Sequence, residues 1–323
     1  MKKTIYLLLL LMTILLAACT EQTGTNNNTA DSSNTANAAD TTNATSQDQS
    51  GTASDVHMDK PLENFNEMLL DDSLKPQDLL KYIKQNINSA SPDEMTNLLL
   101  RLEVLQKNNL GALTDSYNSE GAIQDKLAQL YPHGIIPANT DTVKDAELRE
   151  FLTDVRDNGF KTETAEGSFF PVIDYGIYKE FLTYLPEDIR DYYSLMAVES
   201  DRMPARDAEM AIGWDEVIKR AIDQEQFILS FEQSQKRNEV QSLYNKYVSF
   251  IFNGLPNTPD FIYATKSFDP QLKQSLISAA KRKGNTLLEQ TISDYLNVLD
   301  KNKYRLTDEV KKFRENAIAT LSK

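Results

Sequence analysis

From Ser91 onward the chain is divided by helix starts and stops, and the apolar residues between them recur every three or four positions. Ser91-Pro92-Asp93-Glu94 is the clearest start. It has a Ser that can cap, Pro in the first turn and Glu three residues after the cap. Met95, Leu98, Leu99, Leu102 and Leu105 follow at helical spacing. Upstream, Leu79, Leu80, Ile83 and Ile87 predict a shorter helix; downstream, Ile123, Leu127 and Leu130 predict another, closed near Tyr131-Pro132. Val143 to Val155 is a further helix, stopped at Asn158-Gly159. The second half continues with helices over Ile189 to Val198, Ala208 to Leu229 and Val240 to Phe252, the last ended by Gly254. Asp269-Pro270 opens the next, with Lys281-Arg282-Lys283 in its final turn and Gly284 as its cap. Leu287, Leu288, Ile292, Leu296 and Leu299 line a penultimate helix. Thr307-Asp308-Glu309 starts the last, with Val310, Phe313, Ala317 and Leu321 facing inward.

One segment breaks this pattern. Phe160 to Tyr178, FKTETAEGSFFPVIDYGIY, has Thr-rich and aromatic arms on either side of Ala165-Glu166-Gly167. It predicts a short hairpin, with Pro171 confining the second arm to an edge. Two strands alone are marginal, so this hairpin must pack on helices. The expected fold is therefore mainly α: a multi-helix body in two helical units joined by a short β-hairpin. The first unit is expected over 59–158, and the hairpin with its C-terminal helical domain over 159–323.

The N-terminus reads differently. Lys2 and Lys3 precede an apolar run from Ile5 to Leu16, broken only by Thr13. Twelve helical residues rise roughly 18 Å, well short of a ~30 Å hydrocarbon core, so an export signal fits better than a spanning helix. Leu16-Ala17-Ala18-Cys19 then resembles the lipobox of bacterial lipoproteins, and Cys19 is the only cysteine in the chain. The resemblance implies that residues 1–18 are a signal peptide cut before Cys19, and that the Cys19 thiol carries a diacylglycerol. The membrane partner would be met through that group. Two acyl chains at one atom make a stable anchor where a single chain does not. With Cys19 so used, no disulfide can form in the body, whose stability must come from an ordinary core.

Thr20 to Met58 contains no Lys, Arg or aromatic residue. Such a tract buries too little apolar surface to offset its ordering entropy, and residues 19–58 are expected to be a lipidated cysteine followed by a disordered tether. A long polar spacer after the cysteine resembles Gram-positive lipoproteins, whose body sits in the cell wall. The resemblance implies a position at the outer, extracytoplasmic face of the cell membrane. The Phe160 to Asn253 region is also similar, in EGSFFPVIDY and MAVESDR, to a domain of Gram-positive envelope proteins that carries no assigned activity.

Removing Lys2 and Lys3 with the leader takes the net charge from −14 to −16; Glu21, Asp31, Asp40, Asp48 and Asp55 belong to the tether, which leaves −11 on the body. An acidic body argues against nucleic acid and anionic lipid. Eleven glycines in the whole chain are few for a doubly wound α/β fold, which weighs against a solute-binding protein of an uptake system.

The strongest enzymatic segment is Ser194 to Trp214, SLMAVESDRMPARDAEMAIGW. Its Glu199-Ser200 pair, ending an apolar helix, resembles the catalytic helix of the lytic transglycosylases. There the Glu protonates a glycosidic oxygen of peptidoglycan, as a buried carboxyl with a raised pKa can. The Gly-rich stretch that follows in that family is absent. The alternative is a charged helix end in which Glu199, Asp201, Arg202, Arg206 and Asp207 pair among themselves. The aromatic cluster including Phe169, Phe170, Tyr175 and Tyr178 would bind sugar or peptide if exposed, and would be core if not. Asn253 to Phe261, NGLPNTPDF, either rims a site or merely connects. Only two histidines occur, His57 and His133, far apart in sequence, and no spacing suits a metal or phosphate loop, so neither metal nor cofactor is expected. The leading expectation is a non-enzymatic anchored lipoprotein that binds a cell-wall component, a peptide or a protein. The glycosidase built on Glu199 and the solute-binding protein stand as alternatives.

Overall fold

The structure, a computed structural model, describes residues 73–323 apart from 120, 121 and 283, together with residue 68. All of these fall in one compact unit, His57–Lys323. The leader, Cys19 and the tether expected to end at residue 58 lie outside the described residues.

Ten α-helices and three two-stranded antiparallel sheets make up the described chain. Helix α1 (Pro76–Asn86) leads to α2 (Pro92–Asn118), the longest at 27 residues. The cap of α2 forms as its sequence requires: Glu94 N–H donates to Ser91 Oγ at 3.3 Å, and Ser91 N–H donates back to Glu94 Oε2 at 2.9 Å. Helix α3 (Ala122–Leu130) and a 3-10 turn at Thr140–Thr142 precede α4 (Ala146–Asp157), capped by Asp145. Gly159 then reverses the chain at φ 74°, and a Cβ there would meet Gln106 Nε2 at 2.3 Å. Only glycine combines that backbone with that approach.

The hairpin follows. Strand β1 (Phe160–Ala165) pairs with β2 (Ser168–Ile173), with Thr162 opposite Pro171. Glu166 and Gly167 turn between them, both at positive φ, as a two-residue primed turn demands. The pair does not hang between two units. It packs on α2, α3 and α4, and a 3-10 helix (Tyr175–Tyr184) carries the chain directly into contact with α5 (Glu187–Asp201). The expected boundary at 158/159 is thus a densely packed turn inside one body.

Helix α6 (Trp214–Ser230) is the hub of the second half. It packs on α5, on α7 (Arg237–Asn253), on α8 (Pro270–Ala280) and on α9 (Leu287–Lys301), and α10 (Asp308–Leu321) closes against α7 and α9. Its buried residues, from Trp214 through Val217, Ala221 and Gln224 to Ile228, leave little polar stripe, as a helix wrapped by neighbours requires.

Two helix limits differ from expectation. Helix α6 starts at Trp214, not Ala208. The preceding residues form a small hairpin, β3 (Ala205–Arg206) with β4 (Glu209–Met210), turning at Asp207 and Ala208, both at positive φ. Helix α8 stops at Ala280 with Lys281 as its C-cap. Gly284 does not cap it and instead lies against the Glu289 carboxylate at the start of α9. The loop around Pro256 is a third tight hairpin, β5 (Gly254–Leu255) with β6 (Thr258–Pro259).

Candidate functional site

Most of the buried charge in the first half of the body meets at Glu103. This residue continues the inner stripe of α2, and its side chain is 1% exposed. Four donors converge on its carboxylate. Tyr175 OH lies at 2.8 Å, Tyr192 OH at 2.5 Å, Lys236 Nζ at 2.8 Å and Lys107 Nζ at 2.8 Å. Burial alone would raise this carboxyl, but Lys236 and Lys107 outweigh that and hold it below the ordinary value. One turn on, Gln106 accepts from Tyr178 OH at 2.7 Å and donates to the carbonyls of Asn158 and Gly159. Tyr178 stacks on Tyr193 with centroids 4.3 Å apart. Phe169, Tyr175 and Tyr178 are therefore core, and Phe170 is half-buried. They present no aromatic platform.

The Glu103 cluster positions something on the surface. Lys236 lies at the end of the Phe231–Lys236 loop between α6 and α7, and its ammonium is tied down by Glu103, by Glu239 at 3.1 Å and by the ring of Tyr192 at 4.6 Å. Two residues earlier, Ser234 Oγ donates to Asp188 Oδ2 at 2.7 Å on the first turn of α5. The loop is thus pinned at both its inner and outer ends, and Phe231 is held against Phe227, with centroids 5.1 Å apart.

In front of this loop, α5 and α6 leave a cleft of about 520 Å³. Helix α5 supplies Glu187, Asp191, Ser194, Leu195 and Val198, spaced as one helical stripe opposite its buried face of Ile189, Tyr192, Tyr193 and Ala197. Helix α6 supplies Asp223, Gln226, Phe227 and Ser230. An adjoining depression of about 530 Å³ adds Asp188, Leu229 and Glu232. The lining mixes apolar Leu195, Val198, Phe227 and Phe231 with polar Ser194, Gln226 and Ser230, and Val198 is 41% and Leu229 60% exposed. Its charged members are all acidic: Glu187, Asp188, Asp191, Asp223 and Glu232, with no Lys, Arg or His among the lining residues. Arg190 and Lys219 pair with some of these acids from outside the lining.

Other features offer less. A cleft of about 360 Å³ between β1 and residues 134–140 contains Arg156, Lys161 and Glu163, but its charges have partners in Asp157, Asp201 and Arg206. Glu199 sits on α5 with its side chain 12% exposed. Tyr247 OH donates to its two oxygens at 2.7 and 2.9 Å, and Arg220 Nη1 lies 3.3 Å away. Burial raises its carboxyl, with the Tyr247 hydrogen bonds and Arg220 pulling the other way. Ser200 Oγ accepts from the Tyr175 amide at 3.1 Å. This is the geometry of a packed ion pair, and Glu199 does not line the α5–α6 cleft. It pairs with Arg220 on α6 rather than with the neighbouring charges of its own segment. Arg206 instead bonds Glu163, and Asp207 accepts from the Glu166 amide at the tip of the first hairpin. The NGLPNTPDF segment joins that surface through Asn257, which reaches the carbonyls of Asp207 and Ala208.

Among the described residues no helix is long and apolar enough to cross a membrane, and no group of His, Cys, Asp and Glu could hold a metal ion. No protein-family model, curated protein or solved structure matches the chain.

Proposed function

We propose that the protein is a membrane-anchored extracytoplasmic lipoprotein whose helical body is a binding module rather than an enzyme. The diacylglycerol at Cys19 holds it to the outer face of the membrane, and residues 20–58 give the body its reach. The ligand site is the α5–α6 cleft. The observation that carries this reading is the composition of that cleft: apolar side chains, two of them exposed aliphatics, bordered by polar residues whose charged members are all acidic. Val198 and Leu229 leave apolar surface exposed along the cleft, and exposed apolar surface rimmed by polar groups is what partner sites present.

The deeper carboxylates support binding rather than chemistry. Glu103 is held by four donors, and Glu199 is tied to Tyr247 and Arg220, outside the α5–α6 cleft. The two α/β lobes of a solute-binding protein find no counterpart among the described residues, whose sheets are all two-stranded.

Two measurements test this reading. Intact mass of the mature N-terminal peptide should carry a diacylglycerol on Cys19; a bare thiol there removes the anchor from the proposal. The purified protein should release no soluble fragments from peptidoglycan. Turnover that disappears in Glu199→Gln would replace the binding module with a glycosidase.

A further inference from the structure

We infer that the α5–α6 cleft docks a short cationic amphipathic helix of a partner polypeptide. This rests on the binding-module reading and specifies its occupant. The chemistry of the lining sets the character of the ligand. Leu195, Val198 and Phe231 supply apolar surface along the cleft, with Phe227 behind them, while Glu187, Asp191 and Asp223 stand around it without a cation among the lining residues. The ion pairs these acids do make, to Arg190 at 3.7 Å and Lys219 at 2.6 Å, are solvent-exposed and weak enough to be exchanged for a ligand's ammonium groups.

The shape selects a helix. Glu187 and Val198 lie eleven positions apart on one stripe, which spans roughly 16 Å, or three helical turns. Both long walls are α-helices whose amides and carbonyls are consumed internally, so an extended strand would find no ladder to join. A helix presenting apolar residues at i, i+3, i+4 and i+7 needs only a groove. The chain's own tether cannot be the occupant, since Thr20 to Met58 supplies neither a Lys, an Arg nor an aromatic residue. A second copy is disfavoured by like charge, the chain carrying −14 overall.

The test uses the full chain in nanodiscs of zwitterionic lipid, with empty discs as the blank. The probe is a fluorescein-labelled peptide of about twelve residues, with Leu at i, i+3, i+4 and i+7 and Lys elsewhere. Fluorescence anisotropy should give micromolar affinity at roughly 50 mM salt, falling about tenfold or more by roughly 300 mM. Glu187→Lys with Asp191→Lys should cost about tenfold, and Val198→Asp a similar factor, with far-ultraviolet spectra unchanged because these side chains face solvent. A peptide with Glu in place of Lys, or with its Leu residues scrambled, should not bind. Equal binding by the variants, equal binding of the scrambled peptide, or no binding at all overturns the inference. So does self-association that Val198→Asp abolishes, which would make the occupant another copy. Hydrogen exchange separates this failure from that of the parent reading. Protection of 187–198 and 223–231 by cell-wall fragments, with no response to the peptide, would remove the cationic helix and leave the binding module standing.

Discussion

Glu103→Gln is the substitution that most directly tests how the body is held together. The change keeps volume and removes charge. Four donors now meet the carboxylate, at 2.5 to 2.8 Å. A Gln offers one acceptor oxygen and brings two donors of its own, so at least one buried Tyr hydroxyl or the Lys236 ammonium loses its partner. Breaking a buried pair from one side costs about 3–5 kcal/mol. Two local facts place this case at the lower end. Lys236 keeps Glu239 at 3.1 Å and the Tyr192 ring, and Lys107, 42% exposed, can turn to water. The expected loss is therefore about 3 kcal/mol, or a midpoint lower by roughly 6–12 °C for a body of this size. Urea unfolding at neutral pH, followed by far-ultraviolet circular dichroism, measures it. The effect must also fade in acid. Because the folded-state value is depressed, this carboxylate stabilises above its unfolded value near 4.5 and ceases to do so as pH falls through the lower folded value. Wild type and variant should converge there. In Glu103→Gln with Lys236→Met, the combined loss should be smaller than the sum of the two singles by at least about 1 kcal/mol. A Glu103→Gln loss under about 1 kcal/mol, or strict additivity in the double variant, would refute the idea that this pair organises the core.

Asp260 gives the opposite pH signature. Burial pushes its carboxyl up to about 6 despite Arg314 at 3.2 Å, so its contribution is greatest below the unfolded value near 3.8 and is lost as pH rises through 6. Asp260→Asn should flatten a decline of up to about 3 kcal/mol in urea-derived stability between pH 4 and 7. Ser91→Ala removes the α2 cap and should cost about 1 kcal/mol by the same assay. Glu166→Asn puts a residue tolerant of positive φ into the hairpin turn and should stabilise by several tenths of a kcal/mol; a loss would mean that the turn is not the primed type. Cys19→Ala should release the protein from the membrane fraction or leave its precursor uncut, as fractionation and immunoblotting would report.

Much of the fold was legible because its signals are local. The Ser91 box, the Asp269-Pro270 start, the Thr307 cap and the glycines at 159 and 254 each act within a few residues, and the structure uses each as read. The hairpin was readable for the same reason. The start of α6 was missed because Ala208, Ala211 and Ile212 fall at i, i+3 and i+4, in phase with a helix, whereas the Pro204 carbonyl accepting from the Ala211 amide closes a hairpin there. The Tyr175–Tyr184 segment became a 3-10 helix, not a strand extension, because Asp174 caps it through the Gly176 amide. Glu103 and Gln106 did leave a trace. They sit where the α2 stripe calls for apolar residues, and a polar residue in phase with a core face signals a buried partner. The cleft left less. Leu195 and Val198 lie off the buried face of α5, but the acids around them look like ordinary solvated charge until α5 and α6 are set side by side.

The separation between Glu103 and Lys236 has a kinetic side. The two ends of that ion pair are 133 positions apart, and both hydroxyls that complete it, Tyr175 and Tyr192, lie between them. A chain emerging N-terminus first exposes the carboxylate, with only the half-exposed Lys107 beside it, long before Lys236 has left the ribosome. The early helices can form, but they cannot dry this spot until the α6–α7 loop arrives, so completion of the core waits for late residues. A truncation before Lys236 should leave a helical but loosely packed N-terminal fragment rather than a finished smaller domain.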